Sequence, residues 1–231
     1  MSRADLFPLL RPRSVGAALL AALAVGLPGC APSDAAPPRT AAGAGTEAAA
    51  VHDDAHDPAT HRALEAGEPA GFSIYHSPAL WTDQTGAERT LESLAGRPVV
   101  LAMLYTSCAV ACPRIMLDMK RIEGELGDDA DGVRFVVVSI DPERDTPERL
   151  AEFAAGSRLD PDRWILLHGA EGDILELAAM IGVQYRQTSP GEWVHSNLIT
   201  VLDAGGVVAH RQLGLGTDPA ETLAVLRAAR E

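Results

Sequence analysis

An α/β fold with a parallel core and an antiparallel C-terminal edge is predicted by three features of the 231-residue chain. Short apolar runs alternate with amphipathic stretches, helix-start residues punctuate the junctions, and the last two apolar runs flank a Gly-Gly turn. Pro98–Tyr105 is a continuous apolar run, as a strand covered on both faces reads. Cys112–Leu126 places Ile115, Met119, Ile122 and Leu126 on one helical stripe. Val133–Ile140 is a second buried strand, short and β-branched. Asp145-Thr146-Pro147-Glu148 starts a helix, with a capping side chain, proline in the first turn and an acid behind it. Trp164–Leu167 reads as a third strand and Asp173–Ile181 as a helix. Asn197–Leu202 and Val207–Leu213 flank Asp203-Ala-Gly-Gly206, a hairpin signal. Asp218–Arg230 closes with an amphipathic helix.

The order is therefore β-α-β-α-β-α-β-β-α, with right-handed crossovers between the parallel strands. That is a thioredoxin-like fold with an inserted α/β unit, preceded by an N-terminal β-hairpin around Ser73–Arg89. A domain spanning 71–231 hides roughly 70% of its unfolded surface and needs no staples to fold.

Composition narrows the function. The chain carries 19 basic and 32 acidic residues, a formal charge of −13, which argues against nucleic acid as a partner. Three cysteines are too few for a disulfide scaffold, and no four-ligand structural zinc site can be built from them.

The N-terminus reads as an address. Arg3, Arg11 and Arg13 precede Val15–Leu27, an uncharged apolar run of 13 residues. A basic start, a short apolar core and small residues at the end describe a secretory signal peptide. Thirteen helical residues span about 20 Å, short of the roughly 30 Å hydrocarbon core. Leu27-Pro28-Gly29-Cys30 resembles the bacterial lipobox, whose cysteine is acylated and becomes the new N-terminus. The expected organisation is a lipoprotein signal over 1–29, a lipidated Cys30 opening a flexible linker over 30–70, and the folded domain after it. The lipid would tether the protein to the membrane on the extracytoplasmic, periplasmic side of a bacterial envelope. The linker is rich in Ala, Pro and Gly, with His52, His56 and His61 among Asp53, Asp54 and Asp57, and reads as a solvated acidic tether.

Once the leader is removed, two cysteines remain in an oxidising compartment, Cys108 and Cys112. They follow the first central strand, where the helix begins, and their i, i+4 spacing puts both on one helical face within reach of a disulfide. Backbone N–H groups at a helix start favour thiolate over thiol. The pair can be a disulfide, a dithiol or two soft metal ligands. A static bridge over three intervening residues would add little stability, because it closes so short a loop.

As metal ligands, two thiolates favour Cu(I) or Zn(II). Zinc would want a fourth protein ligand, whereas Cu(I) accepts two or three. His195, in Trp193-Val-His-Ser-Asn197 before the fourth strand, is the expected third ligand, because in this topology that loop packs against the first helix tip. His168 and His210 fall on strands expected to lie far from the turn, His76 has no assigned role, and Met116 and Met119 read as core.

Four stretches resemble the SCO/SenC family of extracytoplasmic copper proteins: Trp81-Thr-Asp-Gln84, Tyr105-Thr-Ser-Cys-Ala-Val-Ala-Cys-Pro113, Ser139-Ile-Asp-Pro-Glu-Arg-Asp-Thr-Pro147 and His195-Ser-Asn197. The resemblance implies a thioredoxin-like fold that binds copper through Cys108, Cys112 and His195. It further implies that one copper per domain, Cu(I) or Cu(II), is delivered to the dinuclear copper site of cytochrome c oxidase, whose copper-site subunit is the partner. Val194 stands where many members carry an acid, and the lipid-type anchor differs from the membrane helix common in the family. The alternative is a thiol:disulfide oxidoreductase cycling Cys108 and Cys112 without metal; three residues rather than the usual two separate the pair. A dinuclear electron-transfer site is rejected, because Met116 occupies the place its histidine would need.

Overall fold

The computed structural model describes residues 63–229. Its elements are β1 (Leu80–Asp83), β2 (Glu88–Thr90), β3 (Val99–Leu104), α1 (Ala111–Leu126), β4 (Arg134–Ser139), α2 (Pro147–Gly156), β5 (Trp164–His168) and α3 (Glu171–Ile181). They continue with β6 (Tyr185–Ser189), β7 (Glu192–His195), β8 (Leu198–Leu202), β9 (Val208–Leu213) and α4 (Ala220–Ala228). Seven strands form one sheet in the order β2-β1-β5-β4-β3-β8-β9. β3, β4 and β5 run parallel, and β8, β9, β1 and β2 are added antiparallel on the two sides.

The centre of the sheet follows from the apolar runs. Every residue of β3 is buried, because β4 and β8 flank it and the sheet is covered on both faces. Phe135 of β4 stacks on Trp164 of β5, ring centroids 4.9 Å apart, and both are fully buried. The stripe of α1 lands as its spacing requires, with Ile115, Met119 and Ile122 in the core; Met116 is buried beside them. Burying each such side chain contributes about 1.5–3 kcal/mol. The thioredoxin-like architecture and the N-terminal hairpin are thus present, and the hairpin joins the sheet through β1–β5 pairing.

Three details differ from the sequence-based expectation. A second, two-stranded sheet, β6–β7, stands where only a loop was expected before the fourth strand. The tether expected up to residue 70 is already bound to the domain near its end. Gly67 and Ala70 donate backbone N–H groups to Gly182 and Met180, both at 2.8 Å, so those residues gain partners a solvated linker lacks. α2 begins as expected: Thr146 before Pro147 caps it, its hydroxyl accepting from the Arg149 N–H at 3.3 Å, while Asp145 turns inward. His168 is not remote from the cysteine turn: its Nδ1 is 3.1 Å from the carbonyl of Asp145, which holds the residue opening that turn.

Among the described residues no helix is long and apolar enough to cross a membrane. The leader, Cys30 and the linker histidines His52, His56 and His61 lie outside the described residues.

Candidate metal centre

β3 ends at Leu104, and the chain turns through Tyr105–Val110 before α1 begins at Ala111. Cys108 therefore lies in the turn ahead of the helix, which corrects the expectation that both cysteines share a helical face. The two still converge. The Cys112 backbone N–H, an orphan donor of the first helical turn, points at the Cys108 sulfur 3.4 Å away. A sulfur takes the place of a capping oxygen, and α1 has no other side-chain cap.

The electrostatics separate the two thiols. Hydrogen bonding from the Cys112 thiol, opposed by burial and helped by His195 and backbone N–H groups, brings the Cys108 pKa down to about 3. The Cys112 thiol is pushed the other way, first by its hydrogen bond to Cys108, then by burial and by the negative charges of Cys108 and Asp145. Cys108 is the half-buried thiolate, and Cys112 is the buried, protonated partner.

The third group arrives from β7. His195 is buried at the end of that strand, and its Nε2 stands 3.6 Å from the Cys112 sulfur. Its Nδ1 lies 3.0 Å from the Ser196 carbonyl, which can only accept, so Nδ1 donates there and the ring is held with Nε2 toward the sulfur. Tyr105 ties the strand down from the cysteine side. Its hydroxyl donates to the Trp193 carbonyl at 3.3 Å and accepts from the Trp193 N–H at 3.5 Å, and its ring meets His195 edge-on. Burial, then the charge of Cys108, pushes the Tyr105 hydroxyl pKa up, so it remains a donor.

The donor set fits a soft ion. With bonds of about 2.3 Å to sulfur and 2.0 Å to nitrogen, two ligands of one tetrahedral ion stand about 3.5 Å apart, close to the separation of Cys112 and His195. Among the described residues no three His, Cys, Asp or Glu side chains already close around an ion, so the site would have to tighten to hold one. It has room to do so. A groove of about 570 Å³ opens over it, lined by Tyr105, Cys108, Val110, Trp193 and His195 among others.

All three expected site residues are therefore brought to one helix tip. Tyr105, Asp145 and the β6–β7 hairpin that carries His195 were missed. The hairpin had a signal, the Pro190-Gly191 pair between two short mixed runs.

The family described as SCO1/SenC matches residues 71–230. The SCO1 protein homolog of Bacillus subtilis (strain 168) is 31% identical over 112 residues, 48% of this chain and 57% of that protein, so the match spans little more than half of that relative. The structure of Bradyrhizobium japonicum ScoI with copper bound superposes with a TM-score of 0.56 at 29% identity, over 66% of this chain and 98% of that one. BsSco, a member of the Sco family of cytochrome c oxidase assembly proteins in which a disulfide switch was identified, gives 0.60 at 25% identity, over 72% and 98%.

Proposed function

The chain belongs to the SCO1/SenC family, and from that premise we propose that it is a copper carrier of the bacterial cell envelope. In this reading it is lipid-anchored through Cys30 on the extracytoplasmic side and serves the copper-site subunit of cytochrome c oxidase. Copper is its cargo, one ion per domain, held by Cys108, Cys112 and His195. The observation that carries this reading is the approach of His195 Nε2 to within 3.6 Å of the Cys112 sulfur, with the Cys108 sulfur at the same helix tip. Two thiolates and one imidazole suit Cu(I), and the open groove leaves a path for an acceptor's ligands to take the ion one bond at a time.

A second reading is favoured by the contrast between the two thiols. A half-buried thiolate at Cys108 beside a buried thiol at Cys112 is also a nucleophile with its resolving partner. As a reductase, the Cys108 thiolate attacks the acceptor's disulfide and releases one acceptor thiolate. Cys112 then loses its proton to the acceptor thiolate just released and attacks the mixed disulfide, freeing the second acceptor thiolate and leaving the Cys108–Cys112 disulfide.

One mixing experiment separates the two. Copper-loaded full chain is incubated with the metal-free, reduced copper domain of an oxidase, and metal-free reduced chain with the oxidised domain. Copper found on the acceptor after the first incubation is the expected result. Reduction in the second, with no metal moved in the first, would make the protein a reductase instead.

A further inference from the structure

The connection between β4 and α2 touches both halves of the site, and two adjacent residues in it, Arg144 and Asp145, reach to different sides. Asp145 is completely buried. Its carboxylate accepts from the Thr106 backbone N–H at 3.0 Å, the Thr106 hydroxyl at 2.5 Å and the Ser139 hydroxyl at 2.6 Å. A buried carboxylate held by neutral donors is a costly way to fasten a fold, since an apolar contact there would avoid the desolvation penalty. Its donors explain the choice. Thr106 opens the cysteine turn, two residues before Cys108, and Ser139 ends β4, so Asp145 fixes the base from which the Cys108 sulfur returns to the α1 tip.

Arg144 works on the other side. Its Nε donates to Asp141 at 2.5 Å, and Asp141 is itself buried. Its Nη2 donates to the carbonyl of Gly191, in the turn between β6 and β7, four residues before His195. Gly191 has φ of +84°, and a Cβ there would run into the Arg144 guanidinium, so only glycine admits this contact.

We propose that the β4–α2 connection sets the distance between the sulfur pair and the imidazole, with Asp145 the positioning residue for Cys108 and Arg144 the positioning residue for His195. The proposal rests on the three-ligand copper reading and assigns the residues that hold those ligands in register. Neither residue touches the ion; each acts through the element it fastens.

The test uses the full chain and two readouts. The first is metal-free: the dithiol is equilibrated with oxidised and reduced glutathione, each Cys108–Cys112 disulfide formed releasing two reduced glutathiones. Asp145→Asn and Thr106→Val shift the midpoint ratio threefold or more, whereas Arg144→Ala moves it less than twofold. Thr106→Val removes only the hydroxyl contacts and so keeps the test open if the Asp145 variant does not fold. The second readout is Cu(I) affinity by chelator competition. Arg144→Ala lowers it about tenfold in the parent chain and not at all in a His195→Ala background, because the residue acts only through the imidazole.

Equal losses from Arg144→Ala in both backgrounds overturn the Arg144 half. Unchanged glutathione midpoints in both Asp145→Asn and Thr106→Val overturn the Asp145 half. A His195→Ala chain that binds Cu(I) as the parent does overturns the three-ligand reading itself and the Arg144 half with it, while the glutathione result still judges Asp145.

Discussion

The Cys108 sulfur receives the backbone N–H of Cys112 at 3.4 Å and so stands in for the side-chain cap that Val110, the N-cap residue of α1, does not supply. One atom thereby joins the helix start to the chemistry, because the dipole and N–H groups that a cap satisfies are the same groups that stabilise a thiolate.

Cys108 should alkylate as a thiolate far below the usual thiol range. Its pKa is lowered to about 3, so the thiolate is retained as pH falls from 8 to about 5 and is lost only near 3. Iodoacetamide labelling of the reduced, metal-free chain, read by mass spectrometry, should show an almost flat rate for Cys108 over that range and slow labelling of Cys112. A half-maximal rate near pH 8.5, that of a free thiol, would refute it.

Cu(I) affinity should fall at least tenfold in His195→Ala and further in Cys108→Ser or Cys112→Ser, with far-ultraviolet circular dichroism unchanged. In the proposed site the imidazole is one of three ligands, whereas each serine would replace a soft sulfur by a hard oxygen. Chelator competition measures the affinities. Parent affinity in His195→Ala would remove the third ligand.

Tyr105→Phe tests how β7 is held. The hydroxyl makes two contacts with Trp193, at 3.3 and 3.5 Å, both long, so their loss should cost about 1 kcal/mol in denaturant unfolding. Cu(I) affinity should drop several-fold, since the strand carrying His195 loses an attachment. Unchanged affinity would mean that other contacts alone place the imidazole.

Asp83 should make the fold acid-sensitive. Burial raises its pKa, but hydrogen bonds from Thr85, Arg89 and the backbone N–H groups of Thr85 and Ala87 outweigh it and bring the value from 3.8 down to about 2. A carboxyl lowered on folding stabilises the protein above its unfolded pKa, and that contribution is lost as pH falls from about 4 to 2. A drop of that size corresponds to about 2 kcal/mol. Asp83→Asn should lose about that much at pH 7 and flatten the stability slope between pH 4 and 2, read by urea unfolding. A variant whose slope matches the parent's would show that other carboxyls carry the acid transition.

The apolar run of β3, the α1 stripe and the cap before Pro147 were legible because each depends on neighbours a few residues away. The cysteine pair was legible for the same reason, although its placement on the helix was not. Whether residue 108 belongs to the helix or to the turn before it depends on where β3 delivers the chain, and β4 and Asp145 decide that.

The sequence by itself determined which atoms could do the chemistry: two sulfurs near one helix start, with the imidazole of His195 as their expected companion. Only the tertiary structure decided that His195, 83 residues beyond Cys112, meets it. It also decided that one loop holds both sides, through Arg144 and Asp145. The physical reason is that composition and periodicity report local burial, whereas these contacts depend on strand order, and β6–β7 reaches the α1 tip only because β8 pairs with β3 beneath it.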